Sequence, residues 1–408
     1  MRGWRWLVFC AALVVTGLWP AGRAFAVSVS GQASTEVEWY DTGAKDTAVP
    51  GSEYLLLNMQ DLDGNGLSFA GYGRLSYDFA RTKGDVVDSQ SRLYYAYLEK
   101  KGLVEGLDVR LGRQFVATTA GASLMDGLYL DYKNLGPIGI KVFGGGDVSY
   151  YSGYNAQQLV DGMEVYGHFF DTLSVGVSYL QKWDHSEMAN ELFGFNASYD
   201  YDNALNIYNE TQFNYLSNTI SYFLTGVQYH RSSRWDLRTE YLYSLPVFSS
   251  TSIYSVFAVD EYRQLMAEFN YHINLGLHSF VRYTHEFYKD TPDANVYEAG
   301  VEKIRTDRFS GYLSGVWRID KGGQNMRGFK VNAAYLFTNI LQAGIGADVD
   351  VLQRWLDVNT DMTTSSDIWV DVTAYLSRKM TLEAKVERVK SDLWDHYYRG
   401  RVRLNVRF

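Results

Sequence analysis

The sequence predicts an all-β fold, a transmembrane antiparallel up-and-down β-barrel of about 22 strands (range 18–22). Three observations carry that prediction: apolar and polar residues alternate with period two along nearly the whole chain, short and long connections take turns, and Tyr is abundant while Pro is scarce. The 408 residues include 33 Tyr, 21 Phe and 10 Trp but only 5 Pro, a residue that would delete ladder hydrogen bonds. With 46% hydrophobic and 21% charged residues and a single Cys, the composition excludes a collagen, a disulfide scaffold and a disordered acidic tail. Beyond the N-terminus no apolar run approaches the roughly 20 residues of a membrane-spanning helix.

Residues 1–26 read as a secretory signal peptide. Arg2 and Arg5 form a basic start, Trp6 to Leu18 an apolar stretch, and Ala24-Phe25-Ala26 a cleavage site before Val27. Cys10 lies inside this segment without the small residue expected before a lipidated cysteine, so the mature chain is expected to have no cysteine. Removing 26 residues, with three arginines and no acid among them, leaves 382 residues at a formal charge of −12. Export without disulfides points to a bacterial envelope protein, and the acidic balance argues against nucleic acid as a partner. No Pro-rich, Ser-rich or charged linker interrupts the texture after Val27, so residues 27–408 are expected to form one domain.

Strand cores are predicted at 27–40, 53–60, 67–81, 92–99, 107–116, 126–133, 138–145, 159–170, 173–183, 190–200 and 205–216. They continue at 220–230, 235–245, 261–273, 277–288, 295–304, 308–319, 329–338, 343–354, 367–376, 380–390 and 398–408. Their two rows differ sharply. Phe309, Gly311, Leu313, Gly315, Trp317 and Ile319 face away from Arg308, Ser310, Ser314 and Arg318. Tight turns such as Asp171-Thr172, Asn274-Leu275-Gly276 and Ser377-Arg378-Lys379 follow every second strand, and longer connections such as 41–52, 82–91, 146–158 and 246–260 fall between them. Each strand thus offers one apolar and one polar row, too long for a packed two-sheet core, so lipid takes one row and water the other. In hydrocarbon every backbone group must be paired, and only a closed sheet leaves no edge. Tyr and Trp then suit aromatic girdles at the two interfaces.

The runs Arg92-Leu-Tyr-Tyr-Ala-Tyr-Leu-Glu99, Leu107-Asp-Val-Arg-Leu-Gly-Arg-Gln114 and Asp126-Gly-Leu-Tyr-Leu-Asp-Tyr132 resemble consecutive strands of Gram-negative outer-membrane porin-like barrels. The last strand, with Val402, Leu404, Val406 and Phe408 alternating against Arg401, Arg403, Asn405 and Arg407, resembles the C-terminal assembly signal of such proteins. The resemblance implies insertion into the bacterial outer membrane by the barrel-assembly machinery, contact with its lipid, and an oligomeric channel. It carries over no substrate.

The candidate pore-lining residues are the charged members of the polar rows: Arg74, Arg110, Lys141, Glu164, Arg238, Glu240, Glu268, Arg282, Glu286, Arg308, Arg318, Lys330, Glu383, Glu387, Arg401 and Arg403. Glu383 and Glu387, one strand from Arg401, Arg403 and Arg407, are expected to form a cross-strand ladder. Asp61-Leu-Asp63-Gly64-Asn65-Gly66 matches the first half of a calcium loop, but position 12 is Tyr72, so a polar hairpin turn is expected. The seven histidines show no H-E-x-x-H pattern and His278 and His285 fall on opposite faces, so no metal, cofactor or catalytic group is assigned. Two readings remain. The first is a passive aqueous pore for small hydrophilic solutes or ions, with loops such as 146–158, 246–260 or 355–366 folded inward. The second is a scaffold sheathing a partner, for instance a multihaem cytochrome. The chain has no C-x-x-C-H, so the haem would arrive with that partner.

Overall fold

The computed structural model describes residues 27–41, 47–80, 90–149, 153–247, 261–323, 325–353, 362–392 and 394–408. The expected signal peptide lies outside the described residues. The strands are β1 (Ser28–Asp41), β2 (Thr47–Ala48), β3 (Pro50–Gln60), β4 (Leu67–Asp78), β5 (Arg92–Val104), β6 (Leu107–Thr118), β7 (Gly121–Leu135) and β8 (Ile138–Ser149). Then come β9 (Gly153–Phe169), β10 (Leu173–Asp184), β11 (Glu187–Tyr201), β12 (Leu205–Asn214), β13 (Thr219–Ser232), β14 (Trp235–Ser244), β15 (Tyr262–Asn274) and β16 (Leu277–Tyr288). The chain ends with β17 (Ala294–Lys303), β18 (Phe309–Asp320), β19 (Met326–Thr338), β20 (Leu341–Gln353), β21 (Met362–Ser377), β22 (Met380–Ser391) and β23 (Trp394–Arg407).

Successive strands pair antiparallel, and β23 returns to β1 in register from Gln32↔Arg407 to Tyr40↔Arg399. β2 only prolongs the β1–β3 hairpin, so the closed wall has 22 staves. All the predicted strands are present, and closure is what an up-and-down barrel in lipid requires. Two predicted loops are shorter than expected: within 41–52, β2 and the start of β3 already pair with β1. In 146–158, β8 runs to Ser149 and β9 begins at Gly153, with Val148 opposite Tyr154. The stretch from Gly146 to Gln158 is rich in Gly, Ser, Asn and Gln and reads as a loop, while the backbone ladder continues into it from both strands.

The outward row is oily. Leu111, Val281 and Leu313 are each more than half exposed, as befits side chains whose natural solvent is hydrocarbon. Aromatic residues mark both rims: Tyr77 packs edge-on to Phe79 near the long-loop end, and Tyr335 to Phe337 near the short-turn end. Short turns reverse the chain with paired left-handed residues, Phe170-Asp171 and Asp202-Asn203, the geometry that matches strand twist. At the seam, the Gly31 N–H donates to the Phe408 carbonyl and the Phe408 N–H to the Gly31 carbonyl, both at 3.1 Å. A Cβ at Gly31 would lie 2.6 Å from the Phe408 ring, so the terminal ring seats where a side chain is missing.

Candidate functional site

Alternation fixes which side chains face inward once the outward row is known. Arg74, Arg110, Lys141, Glu164, Arg238, Glu240, Glu268, Arg282, Glu286, Arg318, Lys330, Glu383, Glu387, Arg401 and Arg403 all fall on the inward row. Arg308 does not lie on a strand: it sits in the turn between β17 and β18, because β18 begins one residue later, at Phe309.

Inward charges are tied across strands. Lys141 Nζ lies 2.6 Å from Glu164 Oε2, and Arg110 Nε donates to Glu99 at 2.8 Å with its guanidinium over the Tyr97 and Tyr129 rings. Arg282 bridges Glu268 and Glu298, with Nε and Nη1 contacts of 2.6 and 2.9 Å, and Arg318 bridges Glu286 at 3.0 Å and Asp320 at 3.3 Å. A recess of about 450 Å³ opens between these groups. The seam pairs differ from the expected ladder. Arg401 and Arg403 approach Glu36 on β1, at 3.9 and 3.8 Å, while Glu387 holds Arg399 and Lys385, and Glu383 accepts from Asn405 at 3.0 Å. Glu36 was legible as a polar-row residue of the first strand, but its partners appear only when the last strand returns beside it.

Among the described residues, one hairpin end departs from the wall. Pairing of β5 with β6 stops at Ala96↔Arg113, and pairing of β7 with β8 starts at Met125↔Asp147, whereas β6 and β7 stay paired to each other as far as Thr118↔Gly121. The end of this hairpin therefore leaves the wall and leans inward. There the Ala120 N–H donates to Ser178 Oγ at 2.8 Å, the Ala120 carbonyl accepts from Gln212 Nε2 at 2.8 Å, and Thr119 Oγ1 donates to Asn196 Oδ1 at 2.9 Å. These acceptors and donors belong to the inward rows of β10, β12 and β11. Val116, Ala120, Met125, Tyr129, Phe143, Val160, Leu180 and Leu192 form a buried apolar cluster between the hairpin end and the wall, and Val247 packs against it. Burying these apolar side chains favours the docked position at roughly 25 cal/mol per Å² removed from water.

This inward element is not one of the loops expected from the sequence. Of 246–260, residues 248–260 lie outside the described residues, and Val247 alone is seen against the cluster. Of 355–366, residues 355–361 lie outside them and the remainder opens β21. The sequence carries a signal for this hairpin. In the runs Leu111-Gly-Arg-Gln114 and Asp126-Gly127, Gly112 stands opposite Gly127 and Arg113 opposite Asp126, just where the hairpin departs. Arg113 and Asp126 form a two-pronged pair at 2.7 and 2.8 Å on the outward row.

The half-matched calcium loop is a hairpin turn, and it already holds a cation. Lys100 Nζ lies 2.7 Å from Asp63 Oδ2 and 2.5 Å from the Asn65 carbonyl. The Lys100 ammonium, together with the Leu67 and Asn65 N–H groups, holds the Asp63 carboxyl well below the usual carboxylate range. A carboxyl lowered on folding contributes stability above its unfolded pKa, and that contribution fades as pH falls toward the folded one. Carbon-detected NMR titration is expected to show Asp63 still ionised at pH 3.8, and Lys100→Met to bring it back toward an ordinary value. His272 and His278 stand in register with their rings edge-on and Nδ1 atoms in contact, a pair that the scattered sequence positions concealed. Among the described residues no group of three or more His, Cys, Asp or Glu is arranged to hold a metal.

A closed antiparallel wall, oily outside and charged inside, defines a transmembrane barrel of the outer-membrane type. Solved structures with a similar chain course include OpdO of Pseudomonas aeruginosa, with a TM-score of 0.49 and 11% identity over 94% of this chain and 97% of that one. OccAB3 of Acinetobacter baumannii gives 0.48 and 11% over 94% and 99%, and Pseudomonas aeruginosa OccK2 (OpdF), in complex with glucuronate, gives 0.45 and 9% over 94% and 98%. No protein-family model and no curated protein sequence matches the chain.

Proposed function

We propose that the protein is a channel of the bacterial outer membrane for passive diffusion of small hydrophilic solutes or ions. The observation that carries this reading is the lumenal wall. Its paired Arg, Lys, Glu and Asp side chains make a polar path through an oily cylinder, and the docked β6–β7 hairpin narrows that path from one side. Selectivity then follows from radius and wall charge, with no catalytic group involved. The sheath reading needs a lumen left clear for a partner; the apolar cluster instead commits one side of the lumen to the chain's own packing, which favours the pore.

Purified, refolded protein in a planar bilayer is expected to give discrete conductance steps, ohmic at low voltage. Folded protein that inserts without any steps would overturn the pore and return weight to the sheath. Co-purification of haem with the barrel would do the same.

A further inference from the structure

The distribution of charge along the lumenal wall names the class of solute, an inference that rests on the channel reading. In the sector β14–β18 every inward guanidinium is held by carboxylate: Arg238 by Glu240, Arg282 by two glutamates and Arg318 by Glu286 and Asp320. Three cations thus meet five acids. In the next sector Asp348, Asp350, Asp367 and Asp371 face inward from β20 and β21, with Lys330 3.0 Å from Asp348 and Arg399 3.6 Å from Asp367. Asp348 and Asp367 stand directly opposite each other, and among the described residues the Oδ1 atom of each is buried without a hydrogen-bond partner. Like charges in direct register repel, and here one fixed cation on each side, Lys330 and Arg399, offsets the pair without neutralising the four aspartates.

The basic residues that would offset this excess point the other way. Arg263, Arg327, Arg388 and Lys390 share the outward row with Leu265, Phe329 and Val386 toward the long-loop end. In these two sectors the inward row thus carries more acids than bases, the same sign as the whole chain with its 47 acids against 38 Lys and Arg. At the seam the inward rows of β22, β23 and β1 carry Lys385, Arg399, Arg401, Arg403 and Arg407 beside Glu36, Glu38, Glu383 and Glu387, a surplus of one base that is too small to reverse the sign. We infer that the channel is cation-selective and passes small cationic hydrophilic solutes in preference to anionic ones. The Debye length at 0.1–0.15 M salt is ~8–10 Å, so the net sign of the wall acts on an ion that passes within that distance of it.

The test is the reversal potential of the full mature chain in a planar bilayer under a KCl gradient. Potassium is expected to permeate over chloride by on the order of threefold or more. Asp348→Asn combined with Asp367→Asn is expected to move that ratio toward unity while the protein keeps its folded, heat-modifiable gel mobility. Conducting steps with a reversal potential at zero or of anion-selective sign would overturn the selectivity and leave the channel standing, as would a double variant that leaves the ratio unmoved. Absence of steps would instead overturn the channel beneath it.

Discussion

Gly194→Val is expected to release the β6–β7 hairpin from the lumen and enlarge the unit conductance of the channel. A Cβ at this inward position of β11 would lie 2.2 Å from the Ala120 nitrogen and 2.4 Å from both Ser178 Oγ and the Thr119 carbonyl carbon. Two of these are backbone atoms, so no side-chain rotation relieves the contact. The hairpin end must lift, and its three hydrogen bonds to Ser178, Gln212 and Asn196 go with it. At about 1 kcal/mol each they sum to roughly 3 kcal/mol, on the order of a hundredfold in the ratio of docked to released hairpin. The valine itself sits on a strand where β-branched residues are favoured, so the wall stays closed. Unit conductance in a planar bilayer is the measurement, and an unchanged step size from a folded variant would show that the hairpin does not narrow the path. Ser178→Ala removes one of the three bonds and no volume, and it is expected to shift conductance in the same direction by less.

That hairpin also marks where sequence reasoning stopped. Period two made the staves legible because each strand faces lipid on one side and water on the other, so the pattern survives wherever side chains exist to show it. In the Gly-, Ser- and Asn-containing stretch from Gly146 onward the pattern predicts a loop, and the ladder runs on to Ser149↔Gly153. The inward row was legible for the same reason, which is why Lys141, Arg282 and Arg318 stand where alternation put them. Their partners were not. Pairing of Arg403 with Glu36 joins the two ends of the chain, and the opposition of Asp348 to Asp367 depends on register, which one residue of slip would exchange for the other face. The hairpin was hidden differently: Phe115-Val116-Ala117 breaks the alternation, so the predicted strands end at 116 and resume at 126, whereas β6 and β7 stay paired out to Thr118↔Gly121. Leu124 shares its row with Leu128, yet it is buried while Leu128 is exposed. Alternation reports that a strand has two faces and is silent on whether the strand has left the wall.

The seam gives the larger effect on folding. Gly31→Val is expected to prevent closure of the barrel, measured as loss of the heat-modifiable folded band and of detergent-resistant β circular dichroism. Gly31 faces Phe408 across the last pair of the β1–β23 ladder, and each donates its N–H to the other's carbonyl. A Cβ there would meet the Phe408 ring at 2.6 Å and the Leu56 carbonyl oxygen on β3 at 2.4 Å, so it collides with both neighbouring strands at once. An aromatic ring laid over a strand glycine is a device that pins register, and removing the space for the ring frees the end of β23. The cost is not confined to one contact, because nine residue pairs, Gln32↔Arg407 to Tyr40↔Arg399, close behind it. An open seam exposes two rows of backbone groups to hydrocarbon, where each unpaired group costs several kcal/mol. Ala33→Val, two residues along the same outward row, adds similar bulk on the lipid-facing side of β1 without entering the Phe408 seat, and it is expected to fold. If Gly31→Val yields the folded band in wild-type amount, the terminal ring is an ornament of the seam. If it fails while Ala33→Val succeeds, the last residue of the chain sets the register in which the first strand is found.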